Sequence, residues 1–121
     1  MSARTKLSIA VSAIAAIAGL SYIAQPVSAQ QAGPTITIDN TGGDPPYTFT
    51  PAALDAKVGQ AITVTNNDSN GVHSVTAQDR SFSVDVPPKS SVTLTVKKAG
   101  SYPYICQYHT DGHNKATLNV S

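Results

Sequence analysis

A thiol and two imidazoles lie close together near the end of this 121-residue chain. Cys106 is the only cysteine, and His109 and His113 follow it in the stretch YICQYHTDGHN. The remaining histidine, His73, follows a separate loop rich in Asn, Asp and Gly. One thiolate with two imidazoles is the ligand set of a type 1 copper centre, a trigonal site with a weak fourth ligand. These residues therefore indicate a metal centre assembled from two distant segments.

Each of these side chains also has a plainer interpretation. A free cysteine such as Cys106 is usually buried and inert. His73 alone would be a hydrogen-bonded core histidine, and His109 and His113 would be solvated loop residues. Structural zinc prefers paired spacings such as C-x2-C, which are absent, and a Cys–His nucleophile pair would need an orienting partner and a substrate cleft. The metal interpretation is favoured because the only cysteine and all three histidines fall in two loops.

The elements that must position these residues are strands, because apolar and polar side chains alternate along most of the chain. Turn signals rich in Gly, Pro and Asn separate the alternating runs, and the segment 51–57 offers at most one short helical turn. We expect an antiparallel β-sandwich or small barrel of seven to nine short strands. The alternating residues are Ile36/Ile38, Ile62/Val64, Phe82/Val84/Val86, Val92/Leu94/Val96 and Leu118/Val120.

The same alternation predicts where the candidate ligands point. His73 shares its parity with Val75 and Ala77, so it faces the core. Cys106 ends a strand and shares its parity with Tyr102 and Tyr104. The chain must then turn to present His109 beside the thiol, while the third ligand arrives from another strand.

The N-terminus has the pattern of a secretory signal. Basic residues precede an apolar run, and Val27-Ser28-Ala29 forms a cleavage site, so we assign residues 1–29 to a signal peptide, 30–34 to a short linker and 35–121 to one domain. An uncleaved membrane anchor is the alternative. Cleavage implies a periplasmic or extracellular protein without stable membrane insertion. The part after residue 29 carries six basic residues and seven aspartates. This balance gives no indication of a nucleic-acid partner, and we expect none.

Over nearly all of its length after residue 34, the chain resembles the cupredoxins, closest to plastocyanin-like and amicyanin-like small blue copper proteins. The order and spacing of several short motifs carry this resemblance. They are Phe49-Thr50-Pro51, Val58-Gly59, Ile62 to Asn66 before His73-Ser74-Val75, Val86-Pro87-Pro88, Ala99 to Tyr102, Tyr104, Cys106-x2-His109 and Ala116 to Val120.

The resemblance implies an all-β Greek-key antiparallel β-sandwich that binds one type 1 copper ion through His73, Cys106 and His109. It further implies a one-electron carrier and no enzymatic activity. A redox protein partner would dock near His109, with Tyr108 and the segment 45–47 nearby, and we expect a monomer. Ser74, adjacent to His73, is placed to hydrogen-bond to the Cys106 loop and join the two ligand segments.

The fourth ligand departs from the family pattern, which has a methionine after the second histidine. The only methionine here is Met1. Position favours Asn114 as axial ligand, His113 is the stronger donor beside it, and Asp111 is a remote third; a backbone carbonyl, water or no ligand are also compatible. An oxygen or imidazole ligand predicts a lower potential than in methionine-ligated relatives.

Two other functions compete with electron transfer at this stage. The missing methionine and the additional His113 are also compatible with a periplasmic copper-binding or tolerance protein that sequesters or delivers copper without a redox role. A sandwich used only for adhesion or protein interaction is a third alternative, and it predicts no specific copper affinity.

Overall fold

The computed structural model describes residues 22–26, 33–110 and 115–121, and ten short strands make up most of this part of the chain. No helix within it is long and apolar enough to cross a membrane. The strands are β1 Tyr22–Pro26, β2 Thr35–Asn40, β3 Tyr47–Thr50, β4 Ala53–Ala56, β5 Ala61–Asn66, β6 His73–Ala77, β7 Ser83–Val86, β8 Ser91–Val96, β9 Gly100–Ile105 and β10 Ala116–Val120.

The strands form two five-stranded sheets, one in the order β1-β8-β5-β2-β3 and the other in the order β4-β10-β9-β6-β7. The buried side chains of both sheets form one hydrophobic core. This arrangement confirms the predicted all-β sandwich, and the chain passes repeatedly from one sheet to the other.

Two pairings differ from a purely antiparallel sandwich: β2 with β5, and β4 with β10, are parallel. Parallel neighbours require a crossover connection, and here β4 crosses to the opposite sheet between β3 and β5. The segment 51–57, predicted to make at most a helical turn, contains β4 instead. It forms a strand because its backbone bonds to the C-terminal strand, a partner that local sequence does not reveal. Strands β1 and β4 take the count slightly above the predicted range.

The predicted alternation is confirmed by burial. The core contains nearly all of the apolar members of the alternating runs, and Val92 is partly buried against it. Strand β6 differs because all five of its residues are buried, including Ser74 and Thr76 on the face opposite Val75. This strand carries His73 at its first position.

Strand β1 lies inside the segment assigned to the signal peptide. It pairs with β8 over five residues, from Tyr22 opposite Val96 to Pro26 opposite Val92. Cleavage after Ala29 stays a prediction. That cleavage would remove β1 and leave β8 at the edge of its sheet.

Candidate metal centre

Three potential metal ligands converge at one end of the sandwich. His73 begins β6, and Cys106 directly follows β9, the strand that pairs with β6. His109 lies in the turn that follows Cys106, where its N–H donates a long 3.4 Å hydrogen bond to the Cys106 carbonyl. One donor atom from each of the three residues lies within 4.8 Å of the others. The structure therefore brings together the two segments that the sequence identified.

The two sulfur–nitrogen distances suit a trigonal metal site. The Cys106 sulfur is 3.9 Å from His73 Nδ1 and 3.6 Å from His109 Nδ1. Bonds of about 2.3 Å to thiolate and 2.0 Å to imidazole, as found at zinc, place sulfur and nitrogen about 3.7 Å apart at a 120° angle. The two sulfur–nitrogen distances are thus close to those that a bound ion requires.

Burial favours the neutral, metal-binding form of His109. Cys106 and His73 are fully buried, and His109 is partly buried. Burial lowers the pKa of His109 below its ordinary value, and the neighbouring His73 acts in the same direction. A neutral imidazole can offer a nitrogen lone pair to a metal without first losing a proton.

A buried carboxylate lies behind His73. Asp68 Oδ2 is 2.8 Å from His73 Nε2, the ring nitrogen that faces away from the thiol. Asp68 is only 4% exposed, and its Oδ1 accepts the backbone N–H of Asn70. Burial alone would raise the pKa of Asp68, but hydrogen bonds, the one with His73 foremost, hold that pKa below its usual value. The carboxylate is therefore ionised and accepts a hydrogen bond from Nε2.

Ser74 connects the two ligand segments. Its Oγ accepts a 2.9 Å hydrogen bond from the backbone N–H of Gln107, the residue after Cys106. The same hydroxyl is 2.9 Å from Thr76 Oγ1, which in turn lies 2.9 Å from Ser83 Oγ. This buried chain of hydroxyls ties the turn containing Cys106 to β6 and β7.

A second carboxylate holds the same turn from its outer side. Asp85 accepts hydrogen bonds from Gln107 Nε2 at 3.0 Å and from the Tyr108 hydroxyl at 2.9 Å. The hydrogen bond to Asp85 raises the pKa of Tyr108, with smaller contributions from burial and from the carboxylate charge. The turn that contains Cys106 and His109 is thus restrained by Ser74 on its buried side and by Asp85 on its exposed side.

An aromatic ring covers both imidazoles. The centroid of Tyr47, the first residue of β3, lies 4.7 Å from that of His73 and 4.7 Å from that of His109. The two imidazole centroids are 4.8 Å apart. Sequence analysis placed Tyr47 only in a docking surface, whereas here its ring packs directly on the ligands.

The three candidates for the fourth ligand, Asp111, His113 and Asn114, lie outside the described residues. Sequence analysis also missed two carboxylates that support the site. Asp68 sits in a loop whose Asn, Asp and Ser residues suggest a solvated turn, and its only signal was its position five residues before a candidate ligand. Asp85 alternates with core valines and carries no local signal.

Comparisons with known proteins agree with this architecture. The sequence model of the cupredoxin-like domain family matches residues 10–120. An oxidized mutant of amicyanin has 18% identity and a TM-score of 0.61, over 84% of this chain and 99% of the other. A purple cupredoxin from Nitrosopumilus maritimus has 22% identity and a TM-score of 0.60, over 74% and 100%. Amicyanin from Paracoccus versutus has 14% identity and a TM-score of 0.62, over 84% and 98%.

None of the curated proteins compared matches this chain. At these identities the structural matches establish the fold alone, and the family match establishes the domain type. Within that fold, the cluster of His73, Cys106 and His109 forms a type 1 copper-like site.

Proposed function

Because the chain belongs to the cupredoxin-like family, we propose that it is an exported one-electron carrier that binds a single type 1 copper ion through His73, Cys106 and His109. One observation carries the proposal: the buried Cys106 sulfur already lies 3.9 Å and 3.6 Å from two imidazole nitrogens, close to the sulfur–nitrogen distances of a trigonal ion, and all three donors lie within 4.8 Å of one another. The donor set also fits copper, since thiolate with imidazole suits Cu(I) and Cu(II) alike.

Copper bound here would supply a reversible one-electron change between Cu(II) and Cu(I). The protein's part is to keep the ligands in one arrangement for both states. Cys106 and His73 are fixed by strands β9 and β6, and hydrogen bonds that Gln107 donates to Ser74 and Asp85 restrain the turn. Little rearrangement is then needed when an electron is gained or lost, and the protein needs no substrate cleft or enzymatic activity.

We propose that electrons pass through the edge of His109, the least buried of the three ligands. Two apolar side chains next to the ligands are exposed, Tyr108 at 50% and Val72 at 40%. A redox protein partner would dock over this surface and over Tyr47, which is partly buried. The carrier would act as a monomer in the periplasm or outside the cell, after removal of residues 1–29.

For the axial position we propose Asn114, with His113 as the stronger alternative donor. Asn114 stands where the family pattern has its axial methionine, and the chain has no methionine other than Met1. Spectra of the copper-loaded Asn114→Ala and His113→Ala variants distinguish the two residues, because only loss of the true axial ligand changes the colour and the EPR parameters. Identical spectra for both variants and the wild type would contradict a side-chain ligand at either residue.

The function is tested by adding Cu(II) to the purified protein and recording visible absorption and EPR spectra. We expect an intense thiolate-to-copper absorption that disappears in Cys106→Ala. As a control, Ser101→Ala changes an exposed hydroxyl on β9 whose one side-chain bond within the described residues is to Asn119, and it should keep the colour. A colourless complex in the wild type, unchanged by Cys106→Ala, would refute the proposed copper site.

A further inference from the structure

The contact between Asp68 and His73 has a consequence for which atom of the histidine can bind a metal. His73 is fully buried, and its two ring nitrogens face different groups: Nε2 faces the carboxylate, and Nδ1 faces the Cys106 sulfur. A carboxylate is only an acceptor, so in the neutral imidazole that binds a metal the proton must be on Nε2. The lone pair is consequently on Nδ1, directed toward the thiol.

The carboxylate is itself held in place by the loop. The backbone N–H of Asp68 donates to Asn66 Oδ1 at 2.9 Å, and Asp68 Oδ1 accepts the backbone N–H of Asn70 at 2.9 Å. Asn66 is fully buried and donates through Nδ2 to the carbonyls of Gly71 and Val86. This network leaves Oδ2 as the atom presented to His73, and it leaves the carboxylate little freedom to turn.

We propose that Asp68 is a positioning residue for the metal centre, which fixes the tautomer and ring orientation of His73 and places a buried negative charge behind this ligand. The predicted effect of Asp68 on metal affinity rests on the proposed copper function. The predicted effect of Asp68 on the tautomer of His73 is present in the metal-free protein and does not depend on that function. Partners of this kind raise the basicity of a ligating imidazole, and their loss typically costs about 10- to 100-fold in metal affinity.

The substitution Asp68→Asn separates this role from simple packing. The backbone N–H of Asn70 still needs an acceptor, so the new amide oxygen remains with it and the amide NH2 faces His73. The NH2 group can only donate. His73 must then accept at Nε2 and carry its proton on Nδ1, the nitrogen required by the metal.

The test has two readouts, of which the first requires no metal. Nitrogen-15 NMR of the apo protein should show His73 protonated on Nε2 in the wild type and on Nδ1 in Asp68→Asn. The second readout is the affinity for added Cu(II) and Cu(I). We expect Asp68→Asn to weaken Cu(II) binding about 10- to 100-fold and Cu(I) binding less. Each tenfold fall in the Cu(II)-to-Cu(I) affinity ratio raises the potential by about 59 mV.

Asp39→Asn is the matched control, because Asp39 is a carboxylate that accepts a hydrogen bond from the Asn67 side chain and has no bond to His73 or His109, the two described histidines. It should leave both readouts at their wild-type values. The proposal is overturned if wild-type His73 carries its proton on Nδ1, a result that needs no folded variant. It is also overturned if Asp68→Asn keeps the wild-type tautomer, or loses no more Cu(II) affinity than Asp39→Asn. Failure of the wild type to bind copper would instead refute the proposed function, and the tautomer would still report on Asp68.

Discussion

Replacing Ser74 with alanine should loosen the connection between the two ligand segments. The Ser74 hydroxyl is fully buried and is the acceptor for the backbone N–H of Gln107. Alanine leaves that N–H without its protein acceptor in a partly buried position, and an unpaired buried donor costs about 1–3 kcal/mol. For a domain of this size each kcal/mol corresponds to about 4–8 °C in melting temperature. We therefore expect a decrease of roughly 8–16 °C for a loss of about 2 kcal/mol.

The control is Ser83→Ala at the other end of the same hydroxyl chain. Ser83 is partly buried, and among the described residues its hydroxyl bonds only to Thr76, which keeps its bond to Ser74. This substitution should cost no more than about 0.5–1 kcal/mol. Both variants are compared by urea unfolding and thermal melting of the apo protein, followed by the rate of copper release. The reasoning is refuted if Ser74→Ala is as stable as Ser83→Ala and retains copper equally well.

Three further outcomes follow from the structure. Tyr104→Phe should raise the free energy of unfolding by about 1 kcal/mol, because the buried Tyr104 hydroxyl has no hydrogen-bond partner among the described residues. Tyr102→Phe loses a hydrogen bond to a backbone carbonyl and should lower the free energy of unfolding by about as much. Urea unfolding that gives the reverse order of stability would contradict this prediction. The hydrogen bond to Asp85 raises the pKa of Tyr108. The contribution of this hydrogen bond to stability should therefore be complete below pH ~10 and lost as pH rises through the raised pKa. In Asp85→Asn, the part of the fall in melting temperature above pH ~10 that comes from Tyr108 should be absent. Residues 30–121, expressed without β1, should fold and bind copper, and an unfolded circular dichroism spectrum would show that β1 is required.

Much of the fold was predictable because its signal is local. Alternation with period two depends only on neighbouring residues, and it identified the core side chains of strands such as β2, β5 and β10. Strand β4 was not predictable in this way. Its four residues become a strand by hydrogen bonding to β10, more than sixty positions later in the sequence. Only the tertiary structure supplies that partner.

The candidate site shows the same division. Cys106 and His109 share one turn, and the parity of His73 with Val75 indicated that it faces inward, so spacing was sufficient to group these three residues. Asp68 was missed because a carboxylate in a polar loop usually contacts water. Its burial arises from the fold of the loop around Asn66 and from contact with His73, neither of which leaves a pattern in sequence.

Cyclic voltammetry of the copper-loaded protein tests electron transfer at this centre most directly. A preformed site held by two strands and a restrained turn predicts a reversible one-electron wave, fast at the electrode, with copper retained over repeated cycles. The wave should be lost in Cys106→Ala and kept in Ser101→Ala. A slow, irreversible response in the wild type, with copper released on reduction, would contradict electron transfer as the function of this site.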